Sequence, residues 1–320
     1  MQKTSGAAHG GGPASRRGFL GLVTAGAAAV GVATLGRSAL GSEPAVPPRT
    51  FLSQADVDRR KRAVARILDT ADPAAVAAWI TGTQSAPEGV EPETDSQVDA
   101  LADAAAAGLG ADRDGVVVSW VRSAATQRTI WDRKYEFLRT DSGGAGVFGV
   151  ITDAVRAAHP AQLGTDAQWD PDKDSHRSVW ESLTSENRQI EILRTSTAPG
   201  VSRHHLGSDA DFFDTTPQDW TDDGPEAANY RWLRANAARH GFLQTYTAAS
   251  ATTAPAISEE RWHWSYAPVS GAVLDFVRAH QDVVAAALDK LWSYDPVRFT
   301  YVRANWRDYM FHVNETAYFG

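Results

Sequence analysis

Two stretches of the chain carry most of its chemistry: Ser202-Arg203-His204-His205-Leu206-Gly207-Ser208-Asp209-Ala210-Asp211 and Glu260-Arg261-Trp262-His263. The first sets a histidine and an aspartate seven residues apart, with a glycine between them. The second sets a glutamate three residues before another histidine. Two histidines and one aspartate can give zinc three ligands and leave the fourth position open for water, the arrangement of a catalytic rather than a structural site. Zinc held in this way lowers the pKa of its water to roughly 7 and polarises a carbonyl. A glutamate beside the metal then serves as the general base, taking a proton and returning it to a leaving amine. Taken singly, neither stretch is specific. A histidine–aspartate pair near a glycine is commonly a capped turn, and E-x-x-H arises by chance.

Composition narrows the chemistry. The chain has 320 residues, 43% hydrophobic and 22% charged, so it can bury a real core and is neither disordered nor fibrous. Cysteine is absent. That excludes a disulfide framework, an iron–sulfur cluster, a cysteine nucleophile and a thiolate zinc site. A metal must therefore be held by nitrogen and oxygen, for which nine histidines and 39 carboxylates are available. The net charge of −8 argues against nucleic acid as a partner. Eleven tryptophans suit either a large core or a stacking surface.

The first forty residues read as an address. Lys3, Arg16 and Arg17 precede an apolar Ala/Gly-rich run from Gly18 to Leu35, and small residues follow at Ala39 and Gly41. This is the layout of a signal peptide, and Ser15-Arg16-Arg17-Gly18-Phe19-Leu20 resembles the twin-arginine export signal. The segment 1–41 is accordingly expected to direct export to the cell wall, periplasm or exterior, and no membrane anchor is expected after its cleavage.

Beyond it the pattern predicts helix over 53–80, 97–108 and 115–138, a region (42–140) expected to be a helical N-terminal extension. Ser53 and Asp56 form a helix-start signal. The basic run Arg59-Arg60-Lys61-Arg62 reads as a solvated helix face. Gly144-Ala145-Gly146-Val147-Phe148-Gly149 matches G-x-G-x-x-G in form, but charged residues rather than a buried strand precede it, so it is expected to be a loop and not a dinucleotide site. Further helices are predicted at 147–158, 184–193, 226–240 and 271–292, with strands at 242–247 and 261–266. In the last, alternation puts Arg261, His263 and Ser265 on one face and Trp262, Trp264 and Tyr266 on the other. These aromatics are either core or the wall of a substrate cleft. A regular strand would point Glu260 away from His263, so Glu260 belongs at the strand's entry or on a bulge.

Together the two stretches resemble the LAS zinc peptidases of bacterial cell walls, whose pattern is S-x-H-x-x-G-x-A-x-D followed by E-x-x-H. That group includes the VanY-type D-alanyl-D-alanine carboxypeptidases and the D,D-dipeptidases, and shares a fold with the hedgehog signalling domain. Trp232-Leu233-Arg234-Ala235-Asn236-Ala237-Ala238-Arg239-His240-Gly241-Phe242 also resembles the helix and turn between the two motifs in VanY-type enzymes. The likeness spans about 175–268 and leaves out the helical front and the tail. It implies an α+β fold: a small antiparallel sheet with flanking helices, here with a helical N-terminal extension and a C-terminal helix. The peptidase domain is expected over 141–320.

The resemblance implies His204, Asp211 and His263 as ligands of a zinc ion and Glu260 as the base. The register is internally consistent, because seven residues beyond His205 lies Phe212, and Glu260 rather than Glu259 stands three before His263. One departure is Asp209, where the family has alanine; it is either a partner that orients a ligand histidine or a solvated loop acid. Ser202 and Trp262 are expected to bind substrate or support the ligands. The family also uses an arginine upstream of the first motif, in a Y-R-S element. His176-Arg177-Ser178 resembles it, which nominates Arg177, with Arg188 and Arg194 as competitors. The implied activity is hydrolysis of peptidoglycan stem peptides at a D-alanine terminus. An endopeptidase on the same scaffold and a non-turnover wall-binding module are the alternatives.

Overall fold

The computed structural model describes residues 52–138, 149–248, 257–311 and 313–314. The export segment and residues 144–148 of the glycine-rich loop lie outside them. The front contains helices α1 (Gln54–Thr70), α2 (Pro73–Ile80) and α3 (Glu91–Leu109), strand β1 (Val117–Ser119) and helix α4 (Ala124–Tyr135). Four helices follow: α5 (Asp153–Ala158), α6 (Pro160–Leu163), α7 (Asp174–Ser182) and α8 (Ser185–Leu193). Then come β2 (Asp209–Phe212), α9 (Ala227–Asn236), β3 (Phe242–Gln244) and β4 (His263–Tyr266). The tail is α10 (Ala267–Ala279), α11 (Gln281–Leu291) and α12 (Thr300–Phe311).

Local chemistry sets the boundaries. Ser53 and Asp56 form a reciprocal capping box, the carboxylate accepting from Ser53 N–H at 3.0 Å and the hydroxyl from Asp56 N–H at 3.2 Å. Asp72 caps α2 and Pro73 occupies its first turn, which splits the single pattern expected over 53–80. The pattern over 271–292 also divides: α10 starts earlier, with Pro268 in its first turn, and the chain bends at His280, φ −127°. The helix expected over 115–138 starts late. Val116-Val117-Val118 carries three β-branched side chains and leads into β1, and Ser123 caps α4 by accepting from Thr126 N–H at 3.1 Å.

The four strands form one antiparallel sheet in the order β1-β2-β4-β3. Asp209 pairs with Ser265, Ala210 with Trp264 and Asp211 with His263. Side chains alternate across a strand, so this register puts Asp209, Asp211, His263 and Ser265 on one face. The opposite face is apolar, with Phe212 edge-on to Phe242 (6.4 Å) and Phe242 against Tyr266 (5.4 Å). Helix α1 lies along α10, and here the basic run acquires partners: Arg60 donates to Tyr266 Oη at 3.0 Å and Lys61 pairs with Asp275 at 2.9 Å. Nine of the eleven tryptophans are buried, which settles their role as mainly core.

The boundary expected at 140/141 does not divide this architecture. β1, from the supposed extension, is hydrogen-bonded to β2. No helix among the described residues is long and apolar enough to cross a membrane.

One glycine positions the front against the site. Gly82 has φ +75°, and a Cβ there would lie 2.6 Å from the His205 ring and 2.8 Å from Ala124 N. Gly82→Ala should therefore lower stability by about 2–4 kcal/mol through clash and strain. Gly110→Ala has a similar φ of +65° with no atom near the added carbon, and should cost only about 1 kcal/mol. Thermal and denaturant unfolding of the two variants measures the difference.

Candidate metal centre

The β2–β4 register sets Asp211 directly across from His263. His204 comes from a 3₁₀ turn over Arg203–Leu206 that ends at Gly207, φ +69°. The three side chains converge: one donor atom from each lies within 4.8 Å of the others, and all three residues are buried. His204 Nε2 is 3.3 Å from Asp211 Oδ2, and His263 Nδ1 is 3.1 Å from Asp211 Oδ1. Glu260 stands in the turn that enters β4, its Oε2 3.3 Å from His263 Nδ1. Entry through a turn is what frees it from strand alternation.

The outer nitrogens of both rings are anchored. His204 Nδ1 donates to Trp120 O at 2.7 Å, leaving Nε2 for the cluster. His263 Nε2 faces Asp209 Oδ1 at 3.0 Å, leaving Nδ1 for the cluster. Such outer-ring bonds fix tautomer and orientation in metal sites. Asp209 is fully buried, which removes the reading as a solvated loop acid. It also accepts from Arg203 Nε at 2.9 Å, Ser265 Oγ at 2.8 Å and Ser208 Oγ at 2.7 Å.

The donor set fits a divalent cation held by nitrogen and oxygen. Asp211 Oδ1 is buried and makes no hydrogen bond among the described residues, although a buried oxygen normally finds a partner. A cation between Asp211 and the two imidazoles would satisfy it.

The electrostatics follow from burial and neighbours. Burial pushes His204 down. Burial also opposes the charge on His263, but the neighbouring carboxylates of Asp209, Asp211 and Glu260 outweigh it and raise His263 well above the usual imidazole range. Burial would raise Asp209, yet Arg203 and His263 hold it below the usual carboxylate range. For Glu260 burial prevails, and its carboxyl is raised.

The arginine at the cluster is Arg122, not Arg177. Arg122 Nη2 donates to Asp211 Oδ2 at 2.8 Å and to Ser119 Oγ at 2.6 Å, and its Nη1 donates to Gln127 Oε1 at 3.3 Å. The turn that carries it is clamped to the histidine turn: Arg122 N–H donates to His204 O (3.1 Å) and Trp120 Nε1 to Gly207 O (2.6 Å). His205 braces the same turn, its Nδ1 donating to Arg122 O at 2.7 Å and its Nε2 accepting from Gly200 N–H at 3.0 Å. Burial drives the His205 imidazole down to about 4, so it stays neutral.

Arg177 instead donates to the carbonyls of Phe137 (3.3 Å) and Pro171 (3.1 Å) and lies over the Phe137 ring. Arg188 binds the carbonyls of Trp180 and Glu181. The overlooked signal is Trp120-Val121-Arg122-Ser123, an R-S pair after a hydrophobic residue, inside a stretch whose pattern predicts helix. Ser202 is buried, and its Oγ has no hydrogen-bond partner among the described residues. Trp262 is buried and packs against Trp220 with ring centroids 6.2 Å apart.

Asp209→Ala should weaken metal binding about 10–100-fold, because it releases the outer nitrogen of His263 and strands Arg203. Competition with a chromogenic chelator measures the affinity directly. Unchanged affinity would remove Asp209 from the support of the site.

Comparison with known proteins bears on this arrangement. A family model described as VanY, D-alanyl-D-alanine carboxypeptidase, matches residues 88–269. No curated protein matches the chain. Among solved structures, the chain is similar to VanYB in complex with D-alanine-D-alanine, at 23% identity and a TM-score of 0.32, over 58% of this chain and 76% of that one. It is also similar to the vancomycin-resistance D,D-pentapeptidase VanY from a VanB-type resistance cassette in complex with Zn(II), at 22% identity and a TM-score of 0.31, over 64% and 86%. At those TM-scores the superposition is loose, and the assignment rests on the family match, which takes in β1, Arg122, both motifs and the start of α10. The chain belongs to the VanY D-alanyl-D-alanine carboxypeptidase family.

Proposed function

We propose that this protein is an exported zinc peptidase that removes the terminal D-alanine from peptidoglycan stem peptides. The observation that carries the reading is the convergence of His204, Asp211 and His263 with Glu260 beside them, in a chain of this family. His204 Nε2, Asp211 and His263 Nδ1 would hold the zinc. When bound, it supplies Lewis acidity toward the substrate carbonyl and lowers the pKa of an attacking water.

The chain's own groups do the remaining work. Glu260, buried and raised, takes a proton from the water and hands it to the amine of the departing D-alanine. Arg122 lies against Asp211, where charge develops on the carbonyl oxygen, and its guanidinium stabilises that charge. Gln127 and Ser119 hold the guanidinium in place. Asp209 and the Trp120 carbonyl keep the imidazoles oriented. In this reading the sheet and its helices correspond to the LAS architecture, and residues 1–41 direct export by the twin-arginine route to the wall, where stem peptides are the partner.

Mass spectrometry of defined muropeptides, with and without chelator, tests the activity: loss of one alanine from pentapeptide stems is expected, and it should stop on metal removal. An internal cut would indicate an endopeptidase, and no cut in the metal-loaded protein would indicate a wall-binding module. Glu260→Ala should keep metal and fold while losing at least about 10³-fold in kcat. Arg122→Ala should lose about 10²–10³-fold in kcat/KM, the scale for an oxyanion donor, whereas Arg177→Ala should stay within about threefold. The reverse ranking would return the role to Arg177.

A further inference from the structure

A general base must be placed accurately, and Glu260 is placed from outside its own segment. It stands just before β4, in neither helix nor strand, so no local ladder holds it. The direction of a side chain is set by the two peptide planes that flank its Cα. At Glu260 both are pinned. Its N–H donates to Tyr246 O at 3.1 Å, and its carbonyl accepts from His263 N–H at 3.4 Å and from Gln244 Nε2 at 3.3 Å. The same Nε2 donates to Tyr246 O at 2.9 Å. One amide group, 16 residues before Glu260 in the chain, therefore grips both the Glu260 carbonyl and the carbonyl that receives Glu260 N–H.

Gln244 is unusual for its place. It ends β3, is paired with Trp264 and is buried. Alternation along β3 puts it on the same face as Phe242, the aromatic side of the sheet, where the pattern calls for an apolar residue. A buried amide is costly unless its hydrogen bonds are made, and here they are. Carbonyl oxygens only accept, so the two carbonyls fix the NH₂ end of the amide toward Glu260. The Tyr230 hydroxyl, from α9, then donates to Gln244 Oε1 at 2.9 Å. Tyr230 is held in turn, its ring 6.4 Å from that of Trp220 and 4.6 Å from the Arg261 guanidinium. A satisfied network of this kind specifies one geometry where an apolar side chain would only fill space. We propose that Gln244, oriented by Tyr230, is a positioning residue for the base: it holds the Glu260 backbone from the aromatic side of the sheet, so that the carboxylate emerges on the metal side, 3.3 Å from His263 Nδ1.

The inference rests on Glu260 being the base. The zinc-loaded full chain is assayed for alanine release from an N-acylated stem peptide ending in D-Ala-D-Ala, and its zinc affinity is measured by chelator competition. Gln244→Met, similar in length and without the amide, should lower kcat about 10- to 100-fold, the scale for a carboxylate displaced by about 1 Å. KM and zinc affinity should stay within about threefold, a split that a general loss of structure would not give. Tyr230→Phe removes only the hydroxyl and should lower kcat about 3- to 10-fold; added to Gln244→Met it should cost less than about twofold more, because both act through one contact. Unchanged kcat in either single variant overturns the proposal. So does a loss of zinc affinity that matches the loss of kcat, which would make Gln244 a support of the metal centre as a whole. Tyr230→Phe decides the matter if the methionine variant does not fold. The underlying reading fails in a different variant: turnover retained by Glu260→Ala removes the base itself, and the positioning role with it.

Discussion

The registration of β2 against β4 is the constraint on which the rest depends. Asp211 faces His263 and Asp209 faces Ser265 because two short strands pair antiparallel at one offset. A slip of one residue would send both aspartates into the aromatic face occupied by Phe212, Phe242 and Tyr266 and bring Ala210 and Phe212 to the site. The apolar face thus polices the polar one. Core packing of rings below the sheet specifies which carboxylates rise above it.

A site with this many buried charges must balance them. Asp209, Asp211 and Glu260 are all buried, and an unpaired buried carboxylate is too costly to keep ionised. Arg203 and the hydroxyls of Ser208 and Ser265 serve Asp209, Arg122 serves Asp211, and His263 stands beside Glu260. Arg122 reaches Asp211 from a segment 89 residues away, whereas Arg203 reaches Asp209 from the histidine turn itself. The Trp120–Arg122 turn is fixed in place: its backbone and indole clasp the histidine turn, while His205 and Gly82 close behind it. The rings are held by their outer nitrogens and Asp209 and Asp211 by arginines, so the inner atoms are left to face one another.

Much of this was legible in the chain. The two motif stretches, through their family resemblance, nominated His204, Asp211, His263 and Glu260, and the fold brings these four side chains together. Strand alternation already required Glu260 to enter β4 by a turn. Arg122 was not legible in the same way. Its stretch has helical periodicity from 124 onward, and reading that period backward through Val116–Ser119 hides a strand and the turn that carries the arginine. Arg177 offered a similar local pattern, but α7 directs it to the carbonyls of Phe137 and Pro171. β1, which lies before residue 140, likewise joins the sheet by pairing rather than by sequence proximity.

By itself the sequence determined the chemical alphabet of this protein. Without cysteine, any metal site has to be built from nitrogen and oxygen donors, and the resemblance carried by the two motifs nominates which ones. Local interactions also decided where α1, α4 and α8 begin, since a cap acts within one turn of the chain. What only the tertiary structure decided is which distant residues meet those side chains. Arg122 meets Asp211 across 89 residues and Asp209 meets His263 across 54. Contacts over such separations are selected by the packing of the whole fold, and no local period or spacing encodes them.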